Sequence, residues 1–214
     1  MSGLGGLLLD VSGRDYDEQI QQRLWSLSQS LDAVTKWPGV TETVLGINNL
    51  LLIFDPLVLH PDLARERLLA QWLASPPMVG SGRELELDML YGGSAGDDLS
   101  ATALALGMDV DELVYLHSSP VYTVAATSSM PGFAFLSGLP SRLHIPRRQT
   151  PRSPAGKGSV MIGASQVAIL PCRSPTGWHV LGAIDIPLFD PNRNPPSYFR
   201  PGDRVKFCVK GVQV

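Results

Sequence analysis

The chain has 214 residues, 44% of them hydrophobic, with 21 glycines, 18 prolines and a formal net charge of −3. This apolar content supports a hydrophobic core and excludes wholesale disorder, while the glycines and prolines favour strands and turns over a helical bundle. No apolar run approaches the roughly 20 residues of a transmembrane helix, and the N-terminus lacks the basic and apolar regions of a signal peptide, so we expect a cytoplasmic protein.

The first ninety residues predict alternating strands and helices. Residues 6–12 are expected to form a short strand, and Asp15 three residues before Glu18 is a helix-capping pattern. The apolar face of that first helix is built from residues at spacings of four, three and four: Ile20, Leu24, Leu27 and Leu31.

Two further strands, a helix and a strand complete this half. Residues 40–46 and 50–55 are predicted as strands joined by a turn at Asn48 and Asn49, and Pro61 opens a second helix. Residues 83–90 alternate cleanly between apolar and charged side chains, as a strand does. The order β-α-β-β-α-β predicts a ferredoxin-like α+β sandwich.

The second half of the chain has a different pattern of predicted elements. After a loop and a short helical hairpin, with Asp109 and Glu112 at capping spacing, several short strands follow between glycines and prolines. Such strands predict a β-barrel or sandwich. We therefore predict an N-terminal domain at residues 1–82 and a β-domain at residues 83–214.

Charge is distributed unevenly along the chain. Residues 1–107 contain 14 acids and 6 bases (−8), whereas residues 108–214 contain 6 acids and 11 bases (+5). No acid occurs from Leu113 to Ile184, and such an excess of cations attracts anions, although a basic surface without function is the alternative. Nucleic acid is not predicted, because no binding motif accompanies the basic stretch. The cations of this stretch are Arg142, Arg147, Arg148, Arg152, Lys157 and Arg173.

Motif searches give little sign of catalytic chemistry. The four histidines lack ligand spacing and no CxxC or HExxH occurs, so no metal site is predicted. PAGKGS (residues 154–159) lacks the spacing of a phosphate loop and is interpreted as a turn. His117, beside Ser118 and Ser119, is interpreted either as part of a base–nucleophile pair or, preferably, as a surface residue at a helix end.

Single residues add weaker hints. Asp185 and Asp190 are either acid–base groups or, more commonly for such residues, solvated turn carboxylates. Phe133, Phe135 and Trp178 are interpreted as barrel core. The two cysteines are far apart and are expected to be reduced thiols.

Six segments of the β-domain, in this order, resemble one protein family. They are YGGSAGDDLSATALALGMDVDELVYLHSSPVYTV, PGFAFLSGLPSRL, PRRQTPR, PAGKGSVMIGASQ, SPTGWHVLG and FDPNRNPPSYFRPGDRVKF. The sequence is similar to the KipI/PxpB family, also called allophanate hydrolase subunit 1. The resemblance implies an N-terminal α+β domain followed by a C-terminal cyclophilin-like β-barrel, in a cytoplasmic bacterial protein.

The resemblance also implies site residues, without naming a catalytic one. His117 matches the family's LHS, Phe133 its PGF, Arg152 its TPR, Gln166 its NQ and Trp178 its PGGW. We expect these five residues to bind substrate. Arg152 is the candidate for a carboxylate, because a guanidinium can donate two parallel hydrogen bonds.

The chain departs from the family pattern near the expected pocket. Ala183 stands where the family has an arginine, Leu170 where it has a tyrosine, Ser165 where it has an asparagine and Thr176 where it has a glycine.

As a function, the resemblance implies the B component of an ATP-dependent 5-oxoprolinase-type amide hydrolase complex. The expected partners are a homologous barrel subunit of KipA/PxpC type, a possible third subunit of PxpA type and a small anionic substrate. ATP is expected as a co-substrate of the complex, and neither nucleic acid nor membrane is expected. The alternatives are a KipI-type inhibitor of a sensor histidine kinase and a diverged partner subunit without catalytic activity.

Overall fold

The computed structural model describes residues 3–214 except positions 12, 14–15, 34–36, 81 and 128, and it leaves out the side chains at positions 32, 33, 152 and 153. The described chain divides into two compact units, residues 1–81 and 82–214. Within this described part, no helix combines the length and apolar character that crossing a bilayer requires.

Unit 1 packs two helices against a small antiparallel sheet. The sheet order is β1-β3-β2, so β1 and β2 are its edges. Its core is leucine-rich and includes both helices, because each presents an apolar stripe at helical spacing. The elements are β1 (Gly6–Asp10), α1 (Glu18–Ala33), β2 (Val40–Leu45), β3 (Asn49–Phe54) and α2 (Pro61–Ala74).

The helix starts and the hairpin of unit 1 follow from local chemistry. Asp17 Oδ1 accepts a hydrogen bond from the Ile20 N–H (3.0 Å) and caps α1, whereas the predicted cap Asp15 lies outside the described residues. Pro61 opens α2, as predicted. Asn48 adopts φ +55° in the β2–β3 turn, and the Gln21 side chain accepts from its N–H (2.7 Å).

Unit 2 contains a closed seven-stranded barrel in the order β11-β4-β12-β5-β6-β9-β8. β4 and β12 run parallel, and the other barrel pairings are antiparallel. A two-stranded ribbon, β7 with β10, lies apart from the barrel sheet. The elements are β4 (Glu84–Gly92), α3 (Leu99–Leu106), α4 (Val110–Ser118), β5 (Tyr122–Ala126), β6 (Ala134–Ser137), β7 (Arg152–Ala155), β8 (Ser159–Gly163), β9 (Gln166–Ile169), β10 (Ser174–Thr176), β11 (His179–Ile184) and β12 (Arg204–Gln213).

The predicted β-barrel is therefore confirmed. The helical hairpin is present as well: α3 ends at Gly107 with φ +70°, and Asp109 Oδ1 caps α4 by accepting from the Glu112 N–H (2.7 Å).

The expected ferredoxin-like sandwich is not confirmed, because its fourth strand is used elsewhere. The strand predicted at residues 83–90 is β4, which pairs with β11 and β12 in the barrel. Its alternation places Leu87, Met89 and Tyr91 in the barrel core. Unit 1 is thus left with three described strands and two helices.

Candidate ligand-binding cavity on the outer face of the barrel

A cavity of about 260 Å³ lies against the barrel face that points away from the core. Met161 of β8 lines it, whereas its neighbours Val160 and Ile162 point into the barrel core. Thr176 of the β7–β10 ribbon lines another side, so the ribbon forms one wall. The apolar lining consists of Met130, Phe133, Phe135, Met161, Leu170 and Trp178.

The aromatic residues of this cavity were predicted to be barrel core, and that prediction is wrong. Phe133 and Trp178 belong to a separate cluster outside the barrel interior. The ring centroids of Phe133 and Phe135 are 4.7 Å apart, and those of Phe135 and Trp178 are 6.1 Å apart. On β6 it is Ala134 that faces the core, so alternation turns both phenylalanines outward.

One cation lines the cavity among the side chains that the structure describes. The guanidinium carbon of Arg147 lies 4.9 Å from the Trp178 ring centroid, a cation–π geometry. Arg147 is exposed and forms no ion pair with a described acid. Arg147 therefore contributes a positive charge, unpaired with any described acid, to a cavity whose other lining residues are apolar or carry a hydroxyl group or are glycine.

Two other cations of the acid-free stretch are held by acids from elsewhere in unit 2. Arg148 Nη1 donates to Asp98 Oδ1 (2.9 Å), and Arg142 Nη1 donates to Glu112 Oε1 (2.6 Å). Lys157 and Arg173 are exposed and do not line the cavity. The predicted cluster of cations facing an anion is thus reduced to Arg147 among the described side chains.

Thr176 and Gly163 fix the position of Trp178. The backbone N–H of Trp178 donates to Thr176 Oγ1 (3.1 Å), and the Thr176 hydroxyl donates to Met161 Sδ (3.3 Å). A Cβ added at Gly163 would lie 3.0 Å from Trp178 Cδ2, so a larger residue there would require the indole ring to shift by a few tenths of an ångström.

His117 lies elsewhere, buried in the barrel core. Its Nδ1 hydrogen-bonds Tyr91 Oη (2.8 Å), its ring stacks on Phe207 (centroids 5.1 Å apart), and Tyr122 Oη donates to its carbonyl oxygen (2.6 Å). Burial lowers the pKa of His117 to about 3. The interpretation as a surface residue is therefore wrong, and its Nε2 has no hydrogen-bond partner in the described part of the chain.

The remaining predicted site residues are only partly brought together. Phe133 and Trp178 line the cavity. The Arg152 backbone pairs with Thr176 in the ribbon, but the Arg152 side chain lies outside the described residues. Gln166 is half-buried at the start of β9, opposite Gly163 in the β8–β9 hairpin, and does not line the cavity.

Most of the lining residues were not predicted to bind substrate. Among them are Arg147, which was counted only as a cation of the basic stretch, Met161, and Thr176, which was noted only as a departure from the family motif. Of the other departures, Leu170 lines the cavity, whereas Ala183 pairs with β4 and β8 in the sheet.

The candidate acid–base residues lie away from this cavity. Asp190 Oδ1 accepts from the Asn192 N–H (2.9 Å), a turn contact. Asp185 lines a second depression, of about 420 Å³, together with Glu86, Asp88 and Lys210. Across the described residues, no three His, Cys, Asp or Glu side chains form a group that could hold a metal ion.

Sequence comparisons agree with the resemblance. The family model described as carboxyltransferase domain, subdomain C and D, matches residues 1–199. A Haemophilus influenzae protein, named as the B component of 5-oxoprolinase, is 38% identical over 196 residues, covering 92% of this chain and 90% of that relative. A Bacillus subtilis protein of the same name is 37% identical over 208 residues, covering 91% and 85%.

Solved structures agree on the fold. The crystallised protein TTHA0988 superposes with a TM-score of 0.81 at 32% identity, covering 98% of this chain. This chain spans 40% of TTHA0988. PH0987 from Pyrococcus horikoshii has a TM-score of 0.58 at 32% identity, covering 98% of this chain and 96% of that one.

Proposed function

Because the chain belongs to the carboxyltransferase subdomain C and D family, within its KipI/PxpB-like group, we propose that it is the B component of a 5-oxoprolinase-type complex. The observation that carries this proposal is its 37–40% identity, over most of its length, to three proteins named as that component. The complex would open 5-oxoproline to glutamate in the cytoplasm with ATP as co-substrate.

A non-autonomous role is supported by the chemistry of the cavity. The polar residues of its lining are Ser129, Arg147, Ser174 and Thr176. None of the described lining residues is a histidine or carboxylate that could act as a general base. We therefore assign this chain to binding and positioning, with the catalytic groups supplied by companion subunits: a KipA/PxpC-type barrel subunit and a third subunit of PxpA type.

The cavity suits a small anionic amide. Its volume of about 260 Å³ is below the roughly 300–1,000 Å³ of sites for drug-sized ligands, so it fits a ligand smaller than ATP. Arg147 supplies one positive charge, and Phe133 and Trp178 supply apolar faces for a ring. Arg152 enters this proposal only through the family motif, as a second group for a carboxylate.

Reconstitution tests the proposal. The purified chain is combined with the KipA/PxpC-type and PxpA-type subunits, and ATP consumption is measured with and without 5-oxoproline. We expect a stable complex whose ATP consumption requires 5-oxoproline, while this chain alone is inactive. Stable pairing without turnover would instead identify a catalytically inactive partner subunit. Inhibition of kinase autophosphorylation by this chain, without turnover, would favour the regulatory alternative.

A further inference from the structure

The outer edge of β1 has no partner strand among the described residues of unit 1. Gly5 and Val11, just before and just after β1, are both hydrogen-bonded to the chain of β3. The Phe54 N–H donates to the Gly5 oxygen (2.9 Å), and the Val11 N–H donates to the Asn48 oxygen (3.1 Å). In an antiparallel ladder every second residue is hydrogen-bonded to the partner strand, and the residues between them face the other way. The backbone groups of Gly6 and Leu8 therefore point away from β3, toward the open edge.

The strand β1 itself lacks several of the features that protect an edge strand. The sequence of β1, GLLLD, has no lysine, no proline and no bulge in its pairing with β3. Leu8 is 49% exposed on it. An apolar edge without a strand partner is the surface that β-strand addition uses, and β1 has none among the described strands.

Helix α2 overhangs the same edge and makes it a groove. A cavity of about 560 Å³ lies between β1 and α2. It is lined by Leu7–Leu9 on one side and on the other by Pro61, Asp62, Arg65, Leu68 and Leu69. The helix buries only Ala64 and Leu68 fully. Its exposed leucines are Leu63 (40%), Leu69 (41%) and Leu73 (77%).

The topology explains why the helix overhangs. In a βαββαβ sandwich the sixth element is a strand that completes the sheet under the second helix. In this chain the sixth element is β4, which belongs to the barrel. No described strand therefore pairs with β1 on that side, and α2 lies over this edge.

We propose that this groove accepts one extended strand of a companion subunit, with alternate apolar side chains packed under α2. The inference rests on the proposed function, which supplies the companion. A second copy of this chain fits less well: two β1 strands paired edge to edge would bring both overhanging α2 helices into the same space. A single strand without its own covering helix avoids that clash and satisfies the backbone groups of Gly6 and Leu8.

Hydrogen exchange on the reconstituted complex tests this assignment. We expect the outward-facing Gly6 and Leu8 amides to exchange about tenfold more slowly in the complex than in the free chain, the effect of one added hydrogen bond of ordinary net strength. The opposite edge strand, β2 (Val40–Leu45), is the internal control and should not change.

Two variants provide the second measurement. Leu8→Pro removes an outward-facing N–H without removing a β1–β3 hydrogen bond, and Leu69→Glu places a charge in the groove. Each should weaken assembly about tenfold or more, while thermal unfolding shows that the free variant is folded. Leu57→Glu, at a position 95% exposed and outside the groove lining, is the matched control for the added charge and should assemble normally.

The outcomes separate this inference from the proposed function. An active complex with unchanged β1 exchange would overturn the inference and leave the function standing. Failure to assemble or turn over 5-oxoproline would overturn both. A dimer of the chain alone with protected β1 amides would assign the groove to a second copy, and would therefore refute the companion strand.

Discussion

The guanidinium of Arg148 donates to Asp98 Oδ1 at 2.9 Å, while the other oxygen of that carboxylate accepts from the Val180 N–H at 2.8 Å. Asp98 is 7% exposed. The backbone N–H of Arg148 also donates to the backbone oxygen of Gly177 (2.8 Å). One carboxylate therefore ties the basic loop to β11 beside the cavity. The same contact neutralises the charge of Arg148 and leaves that of Arg147 available.

We predict that Asp98→Ala destabilises unit 2 by about 1–3 kcal/mol, because it leaves the Val180 N–H and part of the Arg148 guanidinium unsatisfied. Urea unfolding of the two proteins measures the difference. Asp185→Asn, at an exposed carboxylate, is the control and should change stability by less than about 0.5 kcal/mol. Equal stability of the Asp98 variant and this control would contradict the structural role.

Sequence reasoning could not foresee this pairing. The cation and its acid are 50 residues apart, and charge counts say nothing about which side chains meet. Local signals performed better: the β2–β3 turn at Asn48, the start of α2 at Pro61 and the Asp109 cap all follow from residue chemistry that acts within a few positions.

The alternation of residues along a strand predicted which side chains share a face, but it did not predict which strands pair. The alternation at residues 83–90 predicted a strand correctly but did not reveal that its neighbours are β11 and β12. Phe133 and Trp178 were interpreted as barrel core, but this part of the barrel has two apolar faces, and these residues lie on the one toward the cavity. An apolar residue alone does not distinguish them.

Arg147 is predicted to set the affinity of the cavity for an anion. Arg147→Met should weaken 5-oxoproline binding by the reconstituted complex about tenfold or more, because a charge-assisted contact of about 1.5–3 kcal/mol is lost. Calorimetry measures the affinity. Arg142→Met, which removes a cation outside the cavity, should bind normally. Unchanged affinity in the Arg147 variant would remove this residue from the site.

Gly163→Ala is predicted to damage the cavity, since the added methyl group meets the Trp178 ring at 3.0 Å. Overpacking of this kind costs about 1–3 kcal/mol and would shift the tryptophan emission spectrum. Gly156→Ala is the matched control, because among the described residues no atom beyond its chain neighbours lies within 4 Å of the added Cβ there. Identical emission and stability in both variants would show that the indole ring has room to move.

The burial of His117 predicts acid sensitivity. Its pKa is about 3 in the folded chain and about 6.5 when unfolded, so between these values the unfolded chain binds more protons. The free energy of unfolding is therefore highest above pH 6.5 and decreases as the pH falls. His117 alone lowers it by about 2 kcal/mol between pH 7 and pH 5.

The matched variant is His117→Asn, which keeps a hydrogen-bonding group near Tyr91 and does not titrate. Urea unfolding at several pH values should give a shallower dependence on pH for the variant than for the parent. The same slope in both proteins would show that another group controls acid unfolding.

The barrel order carries a consequence for biosynthesis. β12 (Arg204–Gln213) lies between β4 and β5, although β4 and β5 are made long before it. Until β12 leaves the ribosome, β4 and β5 each expose an unpaired edge, so ring closure must follow the synthesis of β12. Proteolytic trimming back to residue 203 would reopen that seam in a mature molecule.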